Sequence, residues 1–277
     1  MDFRTSEGRA DVSVVSEARD HRERGTEPLL QHKNSPGCDS PAELTLVIPV
    51  YNEGANFPGL WDEITSHIRS PFRALVVYDF DEDDTVPVVQ LIVASGERRL
   101  ALVKNDVGRG VVGAIRSGFN RVDEGAALVV MADLSDDLSQ VDQMMAYYRD
   151  GYQVVVASRY MPGGRLLDAP ALKQAMSRMA GVSLRWLRGI PTHDATNAFK
   201  LYDVRFLKQI KIESTGGFEL SLELLVKAYL RGCRIVELPT TWRGRTRGES
   251  RFRLWAWLPR YLKWYLYAFQ PRRAPRL

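Results

Sequence analysis

Residues 44–57 read LTLVIPVYNEGANF. The first seven form an unbroken apolar and β-branched run, the pattern of a strand covered on both faces. A Tyr-Asn-Glu-Gly turn ends the run, and helical spacing starts at Phe57. The same unit recurs along the chain. Further apolar runs are ALVVY (74–78), LALVK (100–104), ALVVM (127–131) and QVVVAS (153–158), and helical spacing fills 57–68, 86–94, 111–119 and 141–148. Strand and helix in regular alternation predict an α/β fold, a doubly wound and mostly parallel sheet. Ligands of such sheets sit at the carboxyl ends of the strands, so the residues just after each run are the candidate site.

The flanks of this core read differently. Residues 1–40 are rich in Arg, Glu, Asp, Ser and His and show no period, which predicts a disordered tail. Residues 41–250 are expected to form the α/β domain. Beyond Ser158 the pattern changes, with helical stretches at 171–187 and 220–230 and strand-like pieces NAFKLY (197–202) and RIVELP (234–239). Residues 251–277 form a separate aromatic and basic amphipathic segment. Within it Trp255, Leu258, Leu262, Tyr265, Leu266 and Phe269 share a helical face, and Pro259 is expected to open a new helical segment because proline fits the first turn and not the middle. Such a helix suits an anionic membrane surface; packing on the domain or on a second subunit would give the same pattern.

The net charge is only +4, so its location matters more than its size, and the excess collects between Arg243 and Arg276. Nucleic acid is not an expected partner, since no recognised module is present and the basic residues stand beside acidic loops. Cys38 and Cys233 are the two cysteines, too few for a disulfide framework, and a reducing cytoplasm is the expected setting. No run approaches the roughly 20 apolar residues of a membrane span, and the N-terminus lacks the apolar core of a secretory signal.

The strand ends carry the chemistry. YDFDEDDT (78–85) and MADLSDD (131–137) are acidic, and the turn after the first strand holds Glu53. Carboxylates so close repel one another unless a cation or hydrogen-bond donors compensate. A solvated turn capping the next helix would account for Asp81 and Asp84 as well. In NDVGRGVVGAIRSGF (105–119), Gly108 and Gly110 stand where backbone N–H groups meet a phosphate at a helix N-terminus. The spacing is not the dinucleotide fingerprint, and a tight turn explains these glycines about as well.

Taken in order, VIPVYNEGANF, the clustered Asp, NDVGRGVVGAIRSGF, ADLSDD, ASRYMPGG, DATNAFKLY, GGFELSLELL and RGESRF resemble the inverting glycosyltransferases of family two, which have the nucleotide-sugar-binding GT-A fold. Within that family the chain looks most like the dolichyl- or polyprenyl-phosphate mannosyltransferases, over about residues 44–253. The resemblance implies a nucleoside-diphosphate sugar as donor and polyprenyl phosphate as acceptor. It also implies Mg²⁺ or Mn²⁺ as cofactor and a peripheral place on the inner face of the membrane. It assigns Pro49, Tyr51, Glu53, Asp79, Asp81, Asp83, Gly108, Gly110, Arg247 and Arg251 to the donor. Arg243, Arg245, Arg247 and Arg251 resemble a segment that closes over the diphosphate. Of the family's Asp-x-Asp metal motif, Asp133 matches the second acid and Met131 replaces the first; a thioether does not ligate hard cations, so Asp136 and Asp137 are candidate substitutes. Arg159 is the implied ligand of the acceptor phosphate. Asp194 matches an acid on the acceptor side and would be the base if the acceptor were a hydroxyl. A soluble transferase acting on such a hydroxyl, or a nucleotide-sugar-binding protein without transfer, is the competing expectation.

Overall fold

The computed structural model describes residues 43–168, 170–244 and 254–272, with backbone only at 254–256. The expected tail over 1–40, the boundary at 250/251, and Arg245, Arg247 and Arg251 lie outside the described residues. In chain order come β1 (Leu44–Pro49), α1 (Phe57–His67), β2 (Phe72–Tyr78), α2 (Thr85–Ala94), β3 (Leu100–Lys104), α3 (Val111–Phe119) and β4 (Ala126–Val129). A 3-10 turn (Leu138–Gln140) leads into α4 (Val141–Arg149) and β5 (Val154–Ser158). Then follow β6 (Arg165–Leu167), α5 (Ala171–Arg188), β7 (Lys200–Asp203), α6 (Val204–Lys208), α7 (Glu219–Leu230), β8 (Ile235–Pro239), β9 (Thr241–Arg243) and α8 (Leu254–Tyr267).

The seven-stranded sheet runs β3-β2-β1-β4-β7-β5-β8. Every neighbouring pair is parallel except those of β7, which is antiparallel to both β4 and β5. Side-chain alternation divides β1 between two cores. Val47 faces Ile115 and Phe119 of α3 and the apolar residues of α7. Leu46 and Ile48 face Leu60 and Ile64 of α1 and Met144 of α4. This is the two-sided cover that the apolar runs foretold.

The insertion of β7 has a consequence for the site. A parallel strand delivers the loop that follows it to the carboxyl edge of the sheet. An antiparallel strand delivers the loop that precedes it. The register of Lys200 against Val156 and of Leu201 against Leu128 therefore brings residues 192–198 to the edge where β4 and β5 end. The small sheet of β6 and β9, which leave β5 and β8 at the same edge, forms part of the rim.

α8 runs unbroken through Pro259, contrary to the expected restart. The imino nitrogen has no N–H for the carbonyl one turn back, and burial of Trp264 and Ala268 against the domain outweighs that loss. Lys227 of α7 lies 4.8 Å from the Trp264 ring centroid, and the Tyr265 hydroxyl donates to Ser183 Oγ of α5 at 2.9 Å.

Candidate active site

A cavity of about 1060 Å³ opens at the carboxyl edge, at the upper end of the range for small-molecule sites. Each strand end supplies part of its lining: Tyr51 after β1, Asp79 after β2, Gly110 after β3, Asp133 after β4, Arg159 after β5, and Thr196 before β7.

The turn after β1 is held by a ladder to the acidic loop after β2. Asn52 N–H donates to Asp83 Oδ2 at 3.1 Å, Glu53 N–H to Thr85 Oγ1 at 2.9 Å, and Gly54 N–H to Asp84 Oδ1 at 2.8 Å. Three successive amides thus meet three successive side chains, which fixes Pro49, Tyr51 and Glu53 on the cavity wall. The ladder also corrects two expectations. Asp83 is fully buried beneath the turn and does not line the cavity; it holds the turn after β1 from below. Asp81 faces solvent and ion-pairs with Lys104. Asp79 does line the cavity, accepting from Asn105 Nδ2 and from Gly110 N–H, each at 2.7 Å.

Gly110 has φ of 99°, a backbone that favours glycine. Gly108 serves the turn from outside the lining: its carbonyl oxygen lies 1.5 Å from where a Cβ on Gly113 would stand. Only a glycine at 113 lets α3 start so close to that loop. Between the two turn glycines, Arg109 lines the cavity. A basic side chain flanked by glycines at a strand end is the sequence signal for it.

In the turn after β4, Asp133 accepts from Ser135 N–H at 3.2 Å and from Ser135 Oγ at 2.6 Å. Leu134 between them has φ of 59°, a strained backbone for a non-glycine residue. The turn folds Asp136 back so that its Oδ2 accepts from Met131 N–H at 3.3 Å. Asp136 therefore lines the cavity beside Asp133 and Met131. Burial, and then the charge of Asp133, push its carboxyl up to about 7. Asp137 does not join them. It caps the 3-10 turn, accepting from Ser139 N–H at 3.2 Å, and lies off the cavity. This removes the structural basis for counting it as a metal ligand.

The far end of the cavity is built on one ion pair. Arg159 Nε donates to Asp194 Oδ2 at 2.6 Å and Nη2 to Oδ1 at 2.9 Å. Nη2 also reaches Ser177 Oγ and Thr196 Oγ1, each at 3.2 Å. Nη1 makes no hydrogen bond among the described residues, and Arg159 lines the cavity. Asp194 is fully buried and off the cavity. Burial would raise its carboxyl, but the charge and hydrogen bonds of Arg159 overcome this and hold it below the usual range. A carboxylate so engaged is a poor general base, and the geometry makes it the holder of Arg159. Glu219 and Glu223 are likewise occupied. Glu219 accepts from Gly216 and Gly217 N–H, and Glu223 from Glu213 and Ser214 N–H, all at 2.7 Å.

Two helices close this end. Lys173, Gln174 and Ser177 of α5 line one wall, and Trp257, Leu258 and Tyr261 of α8 another, with Trp257 stacked on Phe218 at 6.1 Å. The expected apolar face of α8 is thereby divided. Leu258 and Tyr265 turn inward, while Leu262, Leu266 and Phe269 are exposed.

A mostly parallel sheet with an antiparallel insertion, and a strand-end cavity with acids at one end and a basic group at the other, fit the GT-A glycosyltransferase fold. The chain belongs to glycosyl transferase family 2, whose profile matches residues 45–211. It is 27% identical to a polyprenol monophosphomannose synthase of Mycolicibacterium smegmatis, over 78% of this chain and 83% of the relative. It is 26% identical to an undecaprenyl-phosphate mannosyltransferase of Micrococcus luteus, over 74% and 85%. In fold it is similar to glucosyl-3-phosphoglycerate synthase from Mycobacterium tuberculosis, solved with Mn²⁺, uridine diphosphate and phosphoglyceric acid. The TM-score is 0.61 at 15% identity, over 83% of this chain and 79% of that one.

Proposed function

We propose that this glycosyltransferase moves a hexose, mannose or glucose, with inversion, from a nucleoside diphosphate to polyprenyl phosphate at a membrane surface. The observation that carries the reading is Arg159. Its guanidinium is locked on a buried carboxylate at the wall of the cavity. A fixed guanidinium edge suits a phosphate oxygen. A phosphate acceptor is already anionic and needs no strong base, which agrees with the absence of Asp194 from the cavity. The names of the two mannosyltransferase relatives support the same acceptor.

The donor lies along the turn 49–53, with Asp79 toward the base and Gly110 and Arg109 beside it. Asp133 and Asp136 offer hard carboxylate oxygens, a donor set that fits Mg²⁺ or Mn²⁺ with phosphates and water completing the shell. The bound cation would offset charge on the departing diphosphate. The basic segment with Arg247 and Arg251 would add to that from outside the described residues. At the other end Arg159 holds the acceptor oxygen in line with the anomeric carbon, where approximation itself lowers the barrier.

The membrane part of the reading rests on the outer faces of α5 and α8. Leu172, Met179, Trp186 and Leu187 are exposed on α5, Trp186 by 84%, and Leu262, Leu266 and Phe269 on or just beyond α8. Residues 171–188 and 254–272 hold seven Lys or Arg and no Asp or Glu. An apolar face on helices that carry cations and no acids suits an anionic lipid surface. Among the described residues, no helix is long and apolar enough to cross a membrane.

The test is a donor screen with GDP-mannose and UDP-glucose and Mg²⁺ or Mn²⁺, with and without undecaprenyl phosphate, scored by nucleoside diphosphate release. Release is expected from one donor, and only with the lipid phosphate. Equal release with hydroxyl acceptors and no lipid would overturn the acceptor; no release from any donor would overturn transfer itself.

A further inference from the structure

Lys200 opens β7 with its side chain fully buried. Its ammonium donates to the Ala195 carbonyl at 3.1 Å, to the Asn197 carbonyl, and to the Ser221 hydroxyl of α7. Ser221 in turn donates to the Asn197 carbonyl. An ammonium withdrawn from water is costly, and burial lowers this one to about 7. An apolar side chain would fill the volume without that cost. What the ammonium does and a methyl cannot is grip backbone oxygens. The two it grips flank Thr196, whose hydroxyl accepts from Arg159 Nη2 and stands 2.5 Å from Ser177 Oγ. Thr196, Asn197 and Ser177 all line the acceptor end of the cavity.

We propose that Lys200 is a positioning residue for the acceptor: by clamping the carbonyls on either side of Thr196, it holds that hydroxyl against Arg159 and so fixes the guanidinium edge that meets the acceptor anion. The inference rests on the reading of Arg159 as the acceptor-phosphate ligand. Lys200 never touches the acceptor, and the donor loops are built elsewhere. Its loss should therefore appear in the acceptor parameters and leave the donor parameters alone. A purely structural role would weaken both ends together.

The experiment is steady-state kinetics of the full chain with undecaprenyl phosphate in detergent and whichever of GDP-mannose and UDP-glucose supports turnover. Lys200→Met is expected to raise the acceptor KM about tenfold, the scale of one charged hydrogen bond, with the donor KM within about twofold. Thr196→Val should raise the acceptor KM as well. The double variant should do no more than the larger single one, since both act on one contact. If Lys200→Met does not fold, Ser221→Ala, which loosens the same clamp, should raise the acceptor KM in its place. An unchanged acceptor KM, additive effects with Thr196→Val, or a parallel rise in donor KM would overturn the proposal. Arg159→Met separates the two readings. If it leaves the acceptor KM unchanged, the acceptor reading fails. If it raises that KM while Lys200→Met does not, the clamp alone fails.

Discussion

The two ends of the cavity are assembled by different means. The proposed donor end uses loops that each follow their own strand and are fixed largely through backbone amides: Asn52, Glu53 and Gly54 on the loop after β2, Gly110 on Asp79, and Met131 on Asp136. The proposed acceptor end hangs on side-chain charge, a buried Arg159–Asp194 pair with Lys200 behind it. Backbone ladders tolerate loss of one rung. A buried ion pair does not, because removing one partner strands the other. The donor end should therefore be sensitive only at the groups that meet the diphosphate, and the acceptor end at every member of its network.

The sharpest break is expected at Asp133. Asp133→Ala removes the surviving acid of the proposed metal motif, and turnover should fall by about a thousandfold or more, the scale of lost transition-state charge stabilisation. Folding should be kept, since loss of the Asp133 charge relieves the like-charge repulsion on buried Asp136. Circular dichroism and donor-dependent nucleoside diphosphate release check both halves. Wild-type turnover would end the assignment of the motif.

Arg159→Met probes the other end. It should cut kcat/KM for the lipid phosphate by roughly a hundredfold and also lower stability by about 3–5 kcal/mol, because Asp194 is left charged and buried. Arg159→Met with Asp194→Leu should regain part of the stability and none of the activity. Denaturant melts read the first and acceptor kinetics the second. Full stability in the single variant would mean that the pair does not hold this end together.

The contrast also explains what could be read in advance. Five apolar runs announced five strands, and a loop that directly follows its own strand inherits its place. Tyr51, Asp79, Gly110 and Asp133 could thus be put at one edge by counting. Asp81 and Asp83 shared that loop, but the direction of a side chain within a turn is not a property of spacing. One turned to Lys104 and the other beneath the Asn52 turn. The partnership of Arg159 with Asp194 depended on β7 running against its neighbours, and a four-residue strand among parallel ones leaves no mark of its direction. Trp257 entered the site through Phe218, distant in sequence, whereas Arg109 carried its signal in the glycines on either side of it.

A smaller effect separates Asp136 from Asp137. The fold returns Asp136 to the Met131 amide and leaves Asp137 on a helical cap. Asp136→Asn should weaken Mn²⁺ binding about tenfold, measured by calorimetry with nucleoside diphosphate present, while Asp137→Asn should change it by less than about twofold and lose only a cap. Equal effects would mean that the carboxylates act through the field of the loop and not by ligation.

The least effect is expected on the outer wall of the acceptor end. Trp186 is exposed and far in sequence from the aromatic C-terminal segment, yet α5 and α8 flank the same opening of the cavity. If that face rests on lipid, Trp186→Ser should weaken binding to vesicles containing anionic phosphatidylglycerol by about tenfold, the worth of one buried apolar side chain. Binding to neutral phosphatidylcholine vesicles should be weak before and after the change, because the cations on those helices find no partner there. Turnover with undecaprenyl phosphate in detergent, where no surface has to be found, should stay within about twofold. An equal loss in detergent would move Trp186 from the membrane face to the packing of α5. The acceptor end would then owe its shape, and not its access to lipid, to that helix.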